Sequence, residues 1–163
     1  VTTITGITDD DVADAPRFED KVHEINQVMS GGIAVAHNYA FDRNFLSMEF
    51  ERAGVIFADP FAELDTLILS KQMFQDVSGH KLEDMCKRLD VVLEGAHRAT
   101  NDAEATARAF VELARRRGAP DDLQGLLDWA DALGHPPLPQ KTIDLRRGHS
   151  LSAGYPNSAQ RLR

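Results

Sequence analysis

The apolar residues early in the chain change from a helical spacing to a short uninterrupted run. Four of them recur every three or four positions and predict one buried face of an amphipathic helix: Phe18, Val22, Ile25 and Met29. Pro16 precedes them, at a place where the first turn of a helix tolerates proline. The apolar run at residues 33–36 predicts a short strand that is buried on both faces.

Strands and helices continue to alternate along the rest of the chain. A second helix is predicted at about residues 41–53 and a second strand at about residues 64–69. Helical spacing then returns around Cys86, which we expect to be a packing residue, and again from about Asn101 to the arginines at 115–117. A last helix, predicted at residues 121–133, carries Trp129 as a core residue. This alternation predicts an α/β fold.

Charge divides the chain at about residue 134. Residues 1–134 carry 13 Lys and Arg against 25 Asp and Glu, whereas residues 135–163 carry 5 against 1. An acidic body argues against a protein that wraps duplex nucleic acid, but a site that holds a nucleic-acid end through metal ions is itself built from carboxylates. We therefore expect one domain at residues 1–133, followed at residues 134–163 by a Pro-, Gly- and Arg-rich linker or disordered tail.

Composition excludes several classes of protein. The 163 residues are 42% hydrophobic and 27% charged, which is enough to bury a core. The single cysteine excludes an intramolecular disulfide and a Cys-rich zinc site, and it indicates a cytoplasmic protein. No apolar run approaches the roughly 20 residues that a membrane-spanning helix needs, so we expect no membrane partner.

The first polar cluster runs from His37 to Asp42 and follows the first predicted strand. Open α/β sheets bind ligands at the carboxyl ends of their strands. Asp42, in the first turn of the next helix, is therefore a candidate ligand-binding carboxylate. We expect Phe41 and Phe45 to pack into the core and to direct this carboxylate over the strand end. The alternative is that Asp42 is only a favourable charge near a helix N-terminus.

The second polar cluster, from His97 to Asp102, lies at the start of the helix predicted near Asn101. His97 and Asp102 are five positions apart across a loop-to-helix junction, and this spacing lets the imidazole and the carboxylate face one pocket. One carboxylate to hold a hard cation and one histidine to take a proton from water would form a hydrolytic pair. The alternatives are an acidic helix start for Asp102 and a solvated side chain for His97.

Together the two clusters resemble the motifs of the DnaQ-like 3′→5′ exonucleases of the DEDDh type. The residues similar to the second motif of that family are His37, Asn38, Phe41, Asp42, Phe45 and Leu46. The residues similar to the third motif are His97, Ala99, Asp102 and Ala103. Three linking segments, at residues 5–8, 64–67 and 79–82, also match in order, so the resemblance covers about residues 5–117.

The resemblance implies an RNase H-like α/β fold and hydrolysis of phosphodiesters from DNA 3′ ends, in proofreading, repair or end trimming. Two divalent ions, Mg²⁺ or Mn²⁺, would be held by four carboxylates, two of them Asp42 and Asp102, and His97 would be the general base. Three residues would border the groove for the terminal nucleotides: His37, Asn38 and Phe41. The implied partners are single-stranded DNA or DNA 3′ ends, and a DNA polymerase subunit or another tethered domain.

The first motif of the family, Asp-x-Glu on the first strand, has no counterpart that we find in this chain. Asp9, Asp10 and Asp11 follow the segment at residues 5–8, and we assign them to a loop. In the family, the missing motif comes earlier, with three strands from the middle of the sheet. We therefore expect the chain to correspond to the C-terminal two-thirds of such a domain and, by itself, not to hold two ions. Two parallel strands alone would also leave open sheet edges.

Two alternatives remain from the sequence. The chain could be a catalytically inactive DnaQ-like binding or scaffolding module within a larger polymerase or nucleic-acid-processing assembly. The preferred substrate could also be RNA, which a protein distinguishes from DNA by its 2′-hydroxyl.

Overall fold

The computed structural model describes residues 2–135 and the backbone of residues 143–144 and 149–150. Short strands are interspersed among helices along these residues, and four consecutive helices follow the second strand. In chain order they are α1 (Thr2–Thr5), α2 (Asp9–Val12), α3 (Phe18–Met29), β1 (Ile33–Ala36), α4 (Tyr39–Arg52), β2 (Ala62–Asp65), α5 (Thr66–Met73), α6 (Leu82–Leu89), α7 (Ala99–Arg116), α8 (Leu123–Ala132), β3 (Ile143–Asp144) and β4 (His149–Ser150).

β1 and β2 form a parallel pair, in which Ile33 lies opposite Ala62 and Ala36 lies opposite Asp65. The connection between them contains α4, as a parallel crossover requires, so the predicted α/β class is confirmed. The prediction that β1 is buried on both faces is wrong, because all four of its residues are only half-buried. Within the described residues β1 pairs with β2 alone, and its other edge carries no strand.

The second strand is shorter than predicted. β2 ends at Asp65, and Thr66 already begins α5, although residues 64–69 read as a strand in the sequence. Asp65 has an extended backbone, and its carboxylate accepts the N–H of Leu67 at 2.8 Å. This capping hydrogen bond satisfies a helical N–H that has no partner within the helix, which favours a helix start at this point.

The core lies where α5, α6 and α7 meet. Its buried members are Leu69, Met73, Met85, Cys86, Leu89, Ala105, Ala109 and Leu113. Cys86 is thus confirmed as a packing residue, and burial raises the pKa of its thiol. Trp129 and Leu133, from α8 and the residues just after it, are partly buried and pack against this cluster, as predicted for Trp129. α7 also packs against β1, which connects the core to the sheet.

α4 packs against both strands and against α3, but it does so through a face that the sequence analysis did not identify. Phe50 is 1% exposed and contacts the rings of Phe18 and Phe57, with centroids 5.3 and 4.8 Å away. The expectation that Phe41 and Phe45 pack into the core is wrong, since they are 59% and 53% exposed. The buried residues of α4 are instead Tyr39 and Phe50.

The remaining elements lie close to their predicted places. The first amphipathic helix is α3, and the last helix is α8. α7 begins at Ala99, two residues before the predicted start. Asp9–Val12 form the short helix α2 instead of a loop, because Thr8 and Asp11 make a reciprocal capping box. No helix among the described residues is long and apolar enough to cross a bilayer.

The predicted tail falls mostly outside the described residues. Within it, Ile143 pairs with Ser150 and Asp144 with His149 in an antiparallel arrangement. Residues 136–142, 145–148 and 151–163 are not described. His135, which the sequence analysis assigned to the tail, is buried at 6% exposure. The packed part of the chain therefore extends at least two residues beyond the predicted boundary at 133.

Candidate active site

The junction between β1 and α4 is held by the carboxylate of Asp65, at the end of the neighbouring strand. Oδ1 of Asp65 accepts the backbone N–H of Asn38 at 3.0 Å and that of Leu67 at 2.8 Å, while Oδ2 accepts the N–H of Tyr39 at 3.1 Å. Asn38 has a left-handed backbone with φ 72°, which turns the chain sharply from strand to helix. Asp65 is 8% exposed, so these three N–H groups replace the water that would otherwise solvate it.

Asp65 is itself connected to the end of the continuously described segment at residues 2–135. Its backbone N–H donates to Nε2 of His135 at 2.9 Å, across 70 residues of sequence. His135 is therefore not a solvated tail residue, and this correction has a clear physical reason. Because α8 packs on the core, the two residues after Leu133 reach the carboxyl end of β2. There the imidazole of His135 accepts the backbone N–H of Asp65, which lies at the end of the ladder between β1 and β2.

His37, predicted to border a substrate groove, has a protein partner on each ring nitrogen. Nδ1 lies 3.0 Å from Oγ1 of Thr66, and Nε2 lies 2.8 Å from the carbonyl oxygen of His80. A carbonyl only accepts, so Nε2 carries the proton of this hydrogen bond. Burial lowers the pKa of His37. The side chain thus joins the end of β1 to α5 and to the segment before α6, and its role toward substrate stays a prediction.

Asp42 lies in the first turn of α4, at the carboxyl end of β1, which is where the sequence analysis placed it. Its side chain reaches the surface, but the protein around it removes part of its water. This partial desolvation is the main cause that raises the pKa of Asp42, and the negative charge of Asp65 adds to it. Phe41 and Phe45, on the exposed side of the same helix, contact each other with ring centroids 4.9 Å apart. Asp42 is therefore flanked by an exposed aromatic pair, and it is not directed by buried rings.

A polar cluster that the sequence analysis missed fixes α4 against β2. Arg43 forms ion pairs with Glu63 and, at 3.0 Å, with Asp59. The hydroxyl of Tyr39 donates to Glu63 at 3.2 Å. Burial, reinforced by the charge of Glu63, raises the pKa of the Tyr39 hydroxyl. The helical spacing of Tyr39 and Arg43 was the available signal, because i and i+4 side chains share a helix face.

The second predicted cluster is brought together by a hydrogen bond. The backbone N–H of His97 donates to Oδ1 of Asp102 at 3.3 Å. His97 has a left-handed backbone with φ 72°, and its side chain is exposed. Asp102 is half-buried in the first turn of α7, near enough to Cys86 that its charge adds to burial in raising the pKa of that thiol. His97 and Asp102 therefore form one local unit.

The two units belong to elements that contact the same strand. α4, which carries Asp42 in its first turn, packs against β1, and so does α7, which carries Asp102. The meeting of Asp42 and Asp102 over a common cavity stays a prediction. Within the part of the chain that the structure describes, no three side chains of His, Cys, Asp or Glu form a group that could hold a metal ion. The chain offers Asp42 and Asp102 as separate carboxylate donors, of the oxygen type that Mg²⁺ and Mn²⁺ accept.

Comparison with known proteins gives a consistent result. A family model described as "Exonuclease" matches residues 1–110. The chain is 37% identical over 110 residues to the DNA polymerase III PolC-type of Bacillus cereus, 40% over 113 residues to that of Oceanobacillus iheyensis, and 34% over 110 residues to that of Bacillus subtilis. The matched regions cover 68–69% of this chain but 8% of each relative.

The match to the family model includes both polar clusters and the strands β1 and β2. It confirms the resemblance to the DnaQ-like exonucleases and the RNase H-like α/β class, of which the described residues contain one parallel strand pair and its helices. The chain belongs to the DnaQ-like exonuclease family.

Proposed function

We propose that this chain is part of a metal-dependent nuclease that removes nucleotides from DNA 3′ ends, with Asp42 and Asp102 as metal ligands and His97 as the general base. The observation that carries the proposal is the placement of the two motifs. One lies at the carboxyl end of β1, and the other lies at the start of a helix that packs against the same strand.

The environment of Asp42 supports its assignment as a metal ligand. Partial burial and the nearby charge of Asp65 disfavour the ionised carboxylate, and the pKa of Asp42 is raised accordingly. A divalent cation at this position would offset both effects, because its positive charge favours the ionised carboxylate. Arg43, the next residue, is turned away and neutralises Glu63 and Asp59 instead.

The geometry of the second motif supports different roles for its two members, Asp102 as a metal ligand and His97 as the general base. Asp102 uses Oδ1 to hold the backbone of His97, and this bond leaves the imidazole exposed to solvent. Imidazole is the side chain best suited to take a proton from water near neutral pH. Divalent ions, when bound, would lower the pKa of the attacking water and stabilise the departing 3′-oxygen.

The wider context of the reaction is also part of the proposal. The relatives carry the name DNA polymerase III PolC-type, and the chain matches only 8% of their length. We propose DNA as the substrate and a polymerase, fused or associated, as the partner. The cytoplasmic location and the inability of this chain by itself to hold two ions stay predictions.

A cleavage assay tests the proposal. The product of the complete reading frame is incubated with a 5′-labelled single-stranded DNA, with Mg²⁺ or Mn²⁺ or with chelator, beside the 163-residue chain. We expect the product of the complete reading frame to give a ladder of shortened labelled products that requires metal, and the 163-residue chain by itself to give none. Asp42→Asn and Asp102→Asn should abolish the ladder, whereas Asp121→Asn, at an exposed position before α8, should leave it unchanged.

Three results would contradict the proposal in different ways. Immediate release of a labelled mononucleotide would show the opposite polarity, and full activity of Asp42→Asn would remove that residue from the site. Binding of the DNA without any hydrolysis would favour the scaffolding alternative. An RNA of the same sequence, degraded much faster than the DNA, would replace DNA as the substrate.

A further inference from the structure

The loop at residues 94–98 connects the segment after α6 to α7 and carries His97. Two of its residues have left-handed backbones, Gly95 with φ 54° and His97 with φ 72°. Glycine adopts this region freely, but histidine does so only when the surrounding structure holds it there. The conformation that presents His97 therefore requires contacts from outside the loop.

Asn101, in the first turn of α7, supplies such contacts. Its Nδ2 group donates to the carbonyl oxygen of Glu94 at 2.9 Å and to that of Gly95 at 3.3 Å. A carboxamide nitrogen carries two protons, so each carbonyl can receive one. The approach is close, because a Cβ atom added at Gly95 would lie 2.8 Å from this nitrogen. The contact of the Asn101 side chain with the loop therefore requires a residue without a Cβ atom at position 95.

The neighbouring residue holds the other part of the same loop. Asp102 accepts the backbone N–H of His97 at 3.3 Å. Two consecutive side chains of α7 therefore bind the loop, Asn101 at its start and Asp102 at His97. Because a metal ion would compete for the carboxylate of Asp102, the contacts made by Asn101 are the ones that remain available when that carboxylate is engaged.

We propose that Asn101 is a positioning residue, which fixes loop 94–98 on the first turn of α7 and thereby fixes His97 beside Asp102. The part of this inference that concerns catalysis rests on the function proposed above, in which His97 is the general base. The part that concerns the loop does not depend on it. Neither Asn101 nor its two carbonyl partners belong to the residues that resemble the family motifs.

The test uses Asn101→Asp, which keeps the size of the side chain but replaces both donated protons with an anionic oxygen that faces two carbonyl oxygens. The matched control is Ala107→Asp, which makes the same change in charge at an exposed position of the same helix. In the 163-residue chain, ¹⁵N relaxation gives order parameters for the amides of Gly95 and His97. We expect them to fall from about 0.85 to below about 0.6 in Asn101→Asp and to stay unchanged in the control.

Kinetics of the product of the complete reading frame then separates positioning from general damage. A displaced general base lowers kcat while substrate binding persists, so we expect kcat to fall at least about tenfold and KM to change less than about twofold. Unchanged order parameters in Asn101→Asp would overturn the inference, and so would a mobile loop with an unchanged kcat. If the wild-type protein hydrolyses nothing, the proposed function fails, and the order parameters alone still decide whether Asn101 holds the loop.

Discussion

Removal of the Asp65 carboxylate is expected to destabilise the chain in proportion to the number of N–H groups that lose their acceptor. Asp65→Ala leaves three backbone N–H groups without a partner. That of Tyr39 is buried, and the loss of its acceptor costs about 1–3 kcal/mol. Those of Asn38 and Leu67 are partly reachable by water, and each loses about 0.5–1.5 kcal/mol. The free energy of unfolding should therefore fall by about 2–6 kcal/mol.

The two oxygens of Asp65 allow a graded comparison. Oδ1 accepts two of the three hydrogen bonds, and Oδ2 accepts only that of Tyr39. In Asp65→Asn the amide oxygen can occupy the Oδ1 position, so only the Tyr39 N–H meets a donor. The expected loss is then about 1–3 kcal/mol, between wild type and Asp65→Ala. Urea unfolding followed by circular dichroism measures all three proteins.

The matched controls are Asp121→Ala and Asp121→Asn, which make the same substitutions at an exposed position and should stay within about 0.5 kcal/mol of wild type. Two outcomes would refute the reasoning. One is an Asp65→Ala variant as stable as its control, and the other is an Asp65→Asn variant that loses as much stability as Asp65→Ala. The second result would mean that the number of accepted hydrogen bonds does not determine the loss.

Three further results are expected. Because the pKa of Asp42 is raised in the folded chain, its charge opposes folding above the folded-state pKa, and this cost disappears as the pH falls below 3.8. Asp42→Asn should therefore raise the thermal midpoint in metal-free buffer at about pH 7 but not at about pH 3. Hydrogen bonds from two arginines lower the pKa of Glu112 from 4.5 to about 2, so the ionised carboxylate stabilises the folded chain above pH 4.5 and this contribution is lost as the pH falls toward 2. The thermal midpoints of wild type and Glu112→Gln should therefore converge over that range, and a constant difference would contradict this cause. Leu113→Ala, at a fully buried position, should cost about 3 kcal/mol and lower the midpoint by roughly 6–12 °C, whereas Val111→Ala, 63% exposed on the same helix, should change it little.

Local signals explain why most elements could be predicted from the sequence. The run at residues 33–36 is too short for a helix and begins directly after two glycines, so β1 has few alternatives. The first residues of α5 read as a strand in the sequence because they are as apolar as those of a buried strand. The deciding feature was the capping carboxylate of Asp65, and the sequence shows its residue type but not its conformation.

The errors at the candidate site have a different origin, because they concern which surfaces meet. Helical spacing placed Phe41 and Phe45 on one face, but spacing alone does not tell whether that face has a partner, and within the described residues it has none in the core. His135 follows a glycine in a segment without periodicity, so nothing local marks it as buried. Its hydrogen bond to Asp65 joins residues 70 positions apart, and no local pattern encodes such a tertiary contact.

The packing of α8 provides the chain with an internal optical reporter. Trp129 is the only tryptophan among the 163 residues, and it is half-buried against the core, with its indole N–H donating to the carbonyl oxygen of Arg117 at 3.4 Å. Detachment of α8 would expose the indole to water and shift its fluorescence emission to longer wavelength. Because the same detachment would withdraw His135 from Asp65, this emission signal would also report, without any added dye, on the strand end that supports Asp42.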